Sequence, residues 1–139
     1  MRIKLSTAVI MNTRGEILMM LRDNKPGIMH PGVWGLIGGH AEKGEDPIDT
    51  LIREVREETG LEIDKNICSV PVIIRESGFR DEIERSVFFI KGNWTDGDIV
   101  QGEGQAMRFI PYDKLFSLEI GPHVLTILDA IGLNLEKCS

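Results

Sequence analysis

Basic charge is in short supply in this sequence. Lys and Arg number 16 against 22 Asp and Glu, for a formal net charge of −6. A general binder of nucleic-acid backbones needs a basic stripe to displace counterions, so no nucleic-acid polymer is expected as a partner. Long apolar runs are also missing. None approaches the roughly 20 residues that a membrane-spanning helix needs, so no membrane partner is expected. The opening MRIKLSTAVIMNTRGE has neither the unbroken apolar stretch nor the small-residue cleavage site of a secretory signal, which makes the cytoplasm the expected compartment. Cysteine is scarce, with Cys68 and Cys138 far apart and no metal-ligand spacing around them. Both are expected as free thiols. Repeats and low-complexity tracts are absent.

What is present suits a single domain over residues 1–139, at 42% hydrophobic and 27% charged residues. An acidic balance still admits a small anionic ligand, because divalent cations can stand between carboxylates and phosphate oxygens. Ile3–Met11 and Glu16–Arg22 read as strands joined by the turn residues Asn12-Thr13-Arg14-Gly15. Asp23–Val33, with two prolines and two glycines, reads as a long loop of the kind that borders binding sites. Trp34–Gly39 is expected as a short strand ending in a glycine pair.

A helix is expected over Pro47–Thr59, with Asp46 as N-cap, Pro47 at its first position and Gly60 as its stop. Ile48, Leu51, Ile52 and Val55 have the spacing of one buried face. Further strands are expected at Ile67–Arg75, Glu84–Lys91 and Gln105–Ile110, then a helical turn within Tyr112–Leu118. A second helix over Pro122–Ile131 is expected to turn Val124, Leu125, Ile127, Leu128 and Ile131 inward. The fold class is α+β, an α/β/α sandwich with a mixed sheet flanked by helices.

The chemistry is concentrated in GHAEKGEDPIDTLIREVREETGL, Gly39 to Leu61. On a helix, Glu54, Glu57 and Glu58 stand at i, i+3 and i+4, so their carboxylates converge on one face. That face lies roughly 100° or more round the helix from the aliphatic stripe. Three neighbouring negative charges repel one another, and they sit at the helix end that disfavours anions. A divalent cation would offset that cost. Oxygen-only ligands favour Mg²⁺, with Mn²⁺ as the alternative.

The segment resembles the Nudix box, G-x5-E-x7-R-E-U-x-E-E-x-G-U with U aliphatic, through Gly39, Glu45, Arg53, Glu54, Val55, Glu57, Glu58, Gly60 and Leu61. Every fixed position is filled, a coincidence of order ~10⁻⁸ per start site at average residue usage. The resemblance implies the MutT-like Nudix fold and metal-dependent hydrolysis of a phosphoanhydride bond in a nucleoside diphosphate linked to X. It implies metal ligation by Glu54, Glu57, Glu58 and the Gly39 carbonyl, with Glu103 a further ligand or general base. Glu54, Glu57 and Glu103 are the catalytic candidates, and either Glu54 or Glu103 takes the proton from water. Gly38, Glu45, Arg53 and Gly60 are implied as structural, and Arg22 and His40 as substrate or phosphate contacts. A homodimer is compatible with the resemblance, though no residue pattern marks an interface.

Features outside the box narrow the substrate. The proline about fifteen residues past the box glycine, typical of ADP-ribose pyrophosphatases, is absent, and Arg75 and Glu76 stand there. Gly78 and Phe79 replace the tyrosine of dinucleotide hydrolases. Elimination leaves a nucleoside triphosphate, canonical or damaged, cleaved to the monophosphate and pyrophosphate. ADP-ribose, nucleotide sugars and dinucleotides are the alternatives. Outside catalysis stands a silent nucleotide-sensing Nudix domain, against which the full set of box carboxylates counts. An isopentenyl-diphosphate-type isomerase would need a cysteine beside the metal residues. Trp34, Phe88 and Phe89 are candidates for base stacking.

Overall fold

Two eleven-residue strands, β1 (Arg2–Asn12) and β6 (Glu82–Gly92), run parallel along their full length, from Arg2 opposite Glu82 to Asn12 opposite Gly92. Around this pair the computed structural model, which describes residues 2–24, 26–27, 32–77, 81–102 and 104–132, builds a mixed seven-stranded sheet. The other strands are β2 (Glu16–Leu21), β3 (Trp34–Gly35), β4 (Ile37–His40), β5 (Val72–Ser77) and β7 (Ala106–Pro111). β5 adds antiparallel to β6, and β7 to β2.

β1 and β2 pair only beside their connecting turn, at Met11 opposite Ile17. The Asn12 side chain organises that turn: its Oδ1 accepts from the Arg14 and Glu16 N–H groups, and its Nδ2 donates to Glu16. Beyond the turn, β3 takes up pairing with β2 and β4 takes up pairing with β1. The stretch expected as one strand, Trp34–Gly39, is therefore two, broken at Leu36.

Alternation along β1 supplies both cores. Ala8 and Ile10 pack with Leu51 and Val55 of helix α1 (Pro47–Thr59). Val9 packs on the opposite face with Val124, Ile127 and Leu128 of helix α2 (Val124–Ala130). The α/β/α sandwich expected from the sequence is what forms. Leu125, expected inside, is 44% exposed; α2 is short, and Val124, Ile127 and Leu128 already fill its inner face.

The strand expected from Ile67 begins only at Val72. Asp64 accepts a hydrogen bond from the Asn66 N–H and closes a 3₁₀ turn over Lys65–Ile67, and Pro71 has no N–H to give a ladder. Glu103, Cys138, Gly78 and Phe79 lie outside the described residues, as does part of the loop after Asp23. Among the described residues no helix is long and apolar enough to cross a membrane.

Candidate functional site

Helix α1 is pinned at both ends. Pro47 opens it, and the Ser6 hydroxyl of β1 donates to the Pro47 carbonyl at 2.8 Å. Asp46 makes no side-chain cap, and its carbonyl accepts the first helical hydrogen bond from the Thr50 N–H at 3.0 Å. At the far end Gly60 adopts a left-handed conformation, φ 77°, as expected of the stop residue. The carbonyls of Glu58 and Thr59, which have no partner within the helix, accept from the Gly102 and Val100 N–H groups at 2.9 and 2.8 Å. This clamps the loop approaching residue 103 onto the end of α1 that carries the glutamates.

Arg53 binds the unit together. Its Nε and Nη2 form a fork onto Glu45 at 2.8 and 2.9 Å, and Nη2 also donates to the His40 carbonyl at 3.0 Å. Nη1 donates to Glu54 at 2.9 Å and to Glu57 at 3.3 Å. Glu45 also accepts from the Glu42 N–H and the Thr50 hydroxyl. These bonds, Arg53's foremost, hold the Glu45 carboxyl down to about 2 from an ordinary 4.5, and the same pairing raises Arg53.

A carboxylate depressed in the folded state stabilises above its unfolded value and loses that contribution as pH falls towards its folded value. The Glu45 contribution is therefore complete above pH 4.5 and disappears between 4.5 and about 2. Thermal melts across that window should fall more steeply for the wild type than for Glu45→Gln. Parallel curves would remove Glu45 from the acid response.

The register between β4 and β1 decides which backbone groups face the glutamates. The Ala41 N–H donates to the Lys4 carbonyl, and Gly39 stands opposite Ser6. Hydrogen-bonded and non-hydrogen-bonded pairs alternate in an antiparallel ladder, so the polar groups of Gly39 turn towards Ser6, and those of Gly38 and His40 turn outward. Two contacts agree: the Gly38 N–H donates to Glu58 Oε2 at 3.4 Å, and the His40 carbonyl accepts from Arg53. Gly39, expected to lend its carbonyl, faces the ladder, and Gly38 presents its own at the outer edge.

Gly39 contributes by what it lacks. A Cβ there would come within 2.6 Å of both Glu54 carboxylate oxygens, and one at Gly38 would strike the β1 backbone, 2.9 Å from the Thr7 Cα. Gly39→Ala should therefore displace the Glu54 carboxylate and lower kcat/KM at least tenfold with little change in melting temperature. Gly38→Ala should cost about 1–3 kcal/mol of stability, as overpacking against rigid backbone does. Equal melting and equal activity for both would contradict this division.

Glu58 is only 8% exposed, whereas the Glu57 side chain is 55% exposed. Among the described residues no three carboxylate, imidazole or thiolate groups are gathered into a set of cation ligands; Arg53 bridges Glu54 and Glu57, and Glu58 faces Gly38. The donors themselves suit a hard cation. They are all oxygens, on two elements in direct contact, and the Gly39 cradle leaves room for a carboxylate where a side chain would stand.

Arg22 directly follows β2, where its N–H donates to the Val33 carbonyl and its own carbonyl accepts from the Gln105 side chain. The His40 side chain is exposed. Phe88 is buried beneath α1 and offers no stacking face, while Trp34 is half-buried with the Arg108 guanidinium 5.6 Å above its ring. Cys68 bridges to Ile90, and burial raises its thiol. Sequence reasoning missed Thr50, which completes the Glu45 socket, and Arg85 on β6. Ile83, Arg85, Val87 and Phe89 share one strand face, so an arginine in that apolar row was the available signal.

Comparison with known proteins agrees with this architecture. The family model for the NUDIX domain matches residues 2–128, and the chain belongs to the Nudix family. An RNA pyrophosphohydrolase of Gluconacetobacter diazotrophicus is 38% identical over 58 residues, which are 40% of this chain and 35% of that protein. The chain thus spans about a third of that relative's length. Among solved structures, a MutT Nudix hydrolase from Burkholderia pseudomallei superposes with TM-score 0.76 at 19% identity, covering 94% of this chain and 98% of that one. The Nudix domain of Shewanella oneidensis NrtR, crystallised with ADP ribose, superposes with TM-score 0.74 at 15% identity, covering 100% of this chain and 90% of that one.

Proposed function

We propose that the chain hydrolyses a phosphoanhydride bond in a nucleoside diphosphate linked to X, most favourably a nucleoside triphosphate, giving the nucleoside monophosphate and pyrophosphate. The observation that carries this reading is the meeting of β4 with α1: Glu54 against Gly39 and Glu58 on the Gly38 N–H, within a complete Nudix box. Glu54, Glu57 and Glu58 would hold Mg²⁺ or Mn²⁺ together with the outward-facing Gly38 carbonyl. When bound, the cation activates water and neutralises charge on the phosphates.

The chain's own residues do the rest. Arg53 and Glu45 fix the angle of α1 against β4, so that the carboxylates meet the substrate in one orientation. Water attacks phosphorus in line, the P–O bond to the departing phosphate breaks, and the water proton passes to a carboxylate, for which the chain offers Glu54 and Glu103. Arg22, directly after β2, is the residue proposed to meet phosphate oxygens.

Purified protein with Mg²⁺ is to be incubated with nucleoside triphosphates, oxidised nucleotides, nucleotide sugars, ADP-ribose and dinucleotides, and the products identified. Monophosphate and pyrophosphate from a triphosphate support the reading. Turnover confined to ADP-ribose or a sugar nucleotide would move the substrate, and nucleotide binding with no turnover would replace the enzyme by a sensor.

A further inference from the structure

Glu57 and Glu58 stand in the last turn of α1, and Arg22 directly after β2, on elements far apart in sequence. The segment leading into β7 is fastened to both. On one side the Val100 and Gly102 N–H groups donate to the Thr59 and Glu58 carbonyls at 2.8 and 2.9 Å. On the other, the Gln105 N–H donates to the Leu21 carbonyl at 2.8 Å, and the Gln105 Nε2 donates to the Arg22 carbonyl at 2.8 Å. Gln101 Nε2 donates to the Gly104 carbonyl at 2.7 Å and joins the first attachment to the second. A glycine stands at each. A Cβ at Gly102 would strike the Glu57 carbonyl, and one at Gly104, φ 87°, would lie 2.9 Å from the Leu21 carbonyl. Backbone therefore lies directly on backbone at both ends, an approach that only a residue without a side chain permits. Closing the helix explains the bonds to Glu58 and Thr59, whose carbonyls lack partners within α1. It does not explain the Gln105 tie. That side chain is exposed, water could serve it as well, and its bond adds little to stability; what it fixes is position.

We propose that Gly102 and Gln105 are positioning residues: through them this strap sets the spacing between the glutamate-bearing end of α1 and the backbone of Arg22. The inference rests on the hydrolase reading above, which gives the cation to the first and the phosphates to the second. Each half keeps its own side chains when the strap is detached, and only their spacing is lost. Detachment at either end therefore spares affinity for the cation alone and weakens a ligand that must touch both halves.

The test is equilibrium binding, independent of turnover. Wild type, Gly102→Ala, Gln105→Glu and the double variant are titrated with Mn²⁺ alone, read by electron paramagnetic resonance of the free ion. They are then titrated calorimetrically with the α,β-methylene analogues of adenosine and guanosine triphosphate at saturating Mg²⁺. Gln105→Glu keeps the side chain's length but sets an acceptor against the Arg22 carbonyl. As a surface change it should leave the melting temperature within about 2 °C of wild type. Each single variant should keep Mn²⁺ affinity within about threefold and bind the analogues about tenfold more weakly. The double variant should bind them no more than about threefold more weakly than the poorer single, since a strap detached at one end has little left to lose at the other. A structural role alone would lower the melting temperature and leave analogue affinity of the folded protein unchanged. That result in both single variants, or fully additive losses in the double, overturns the strap and leaves the hydrolase reading standing. A wild type that takes up neither Mn²⁺ nor either analogue overturns both.

Discussion

Glu57→Gln is expected to lower Mg²⁺-dependent turnover by about 10³-fold while the melting temperature stays within about 2 °C of wild type. The side chain is 55% exposed, and its 3.3 Å contact with Arg53 is the longest of that arginine's hydrogen bonds, so the fold asks little of it. An amide keeps the shape of the carboxylate and removes the charge that a divalent cation requires. The same substitution would leave a scaffold or a sensing domain indifferent. Retention of more than a tenth of wild-type turnover, measured by pyrophosphate release, would withdraw Glu57 from the cation site.

Arg53→Met is expected to lose stability and activity together, in contrast to Glu57→Gln. It removes two hydrogen bonds to Glu45, one each to Glu54 and Glu57, and the tie to the His40 carbonyl. The Glu45 side chain, 14% exposed, is left without its cationic partner, which is the costly way to break a charged pair. A melting temperature lower by on the order of 5 °C is expected for a chain of this size. Turnover should fall at least a hundredfold, because Glu54 is no longer held against Gly39. Arg53→Lys should recover most of the stability and little of the activity, since a point charge can face Glu45 but cannot fork between Glu45, Glu54 and the His40 carbonyl. A lysine variant with full turnover would reduce Arg53 to a charge.

Much of this protein was readable from local pattern. The thirteen-residue helix over Pro47–Thr59, its proline start and its glycine stop follow from residues within one turn of each end. The i, i+3, i+4 placing of Glu54, Glu57 and Glu58 on that helix is local too, though among the described residues their carboxylates are not drawn together into one set. The β1–β2 turn at Asn12–Gly15 and the mixed sheet with one helix on each face followed from alternation and turn chemistry. These features depend on neighbours in sequence, and elementary geometry carries them.

What the chain could not announce depends on partners far away along it. Leu36 divides β3 from β4 because β1 and β2 separate beyond their turn. Gly38, and not Gly39, turns its backbone polar groups out of the β1 ladder, its N–H to Glu58, because of the pairing register with Ser6 and Thr7, and a shift of one residue would exchange the two. Arg85 meets Thr7 across the parallel β1–β6 pairing from 78 residues away in sequence. Helix periodicity determined which carboxylates share the α1 segment; strand register, a property of the assembled sheet, decided what they stand against.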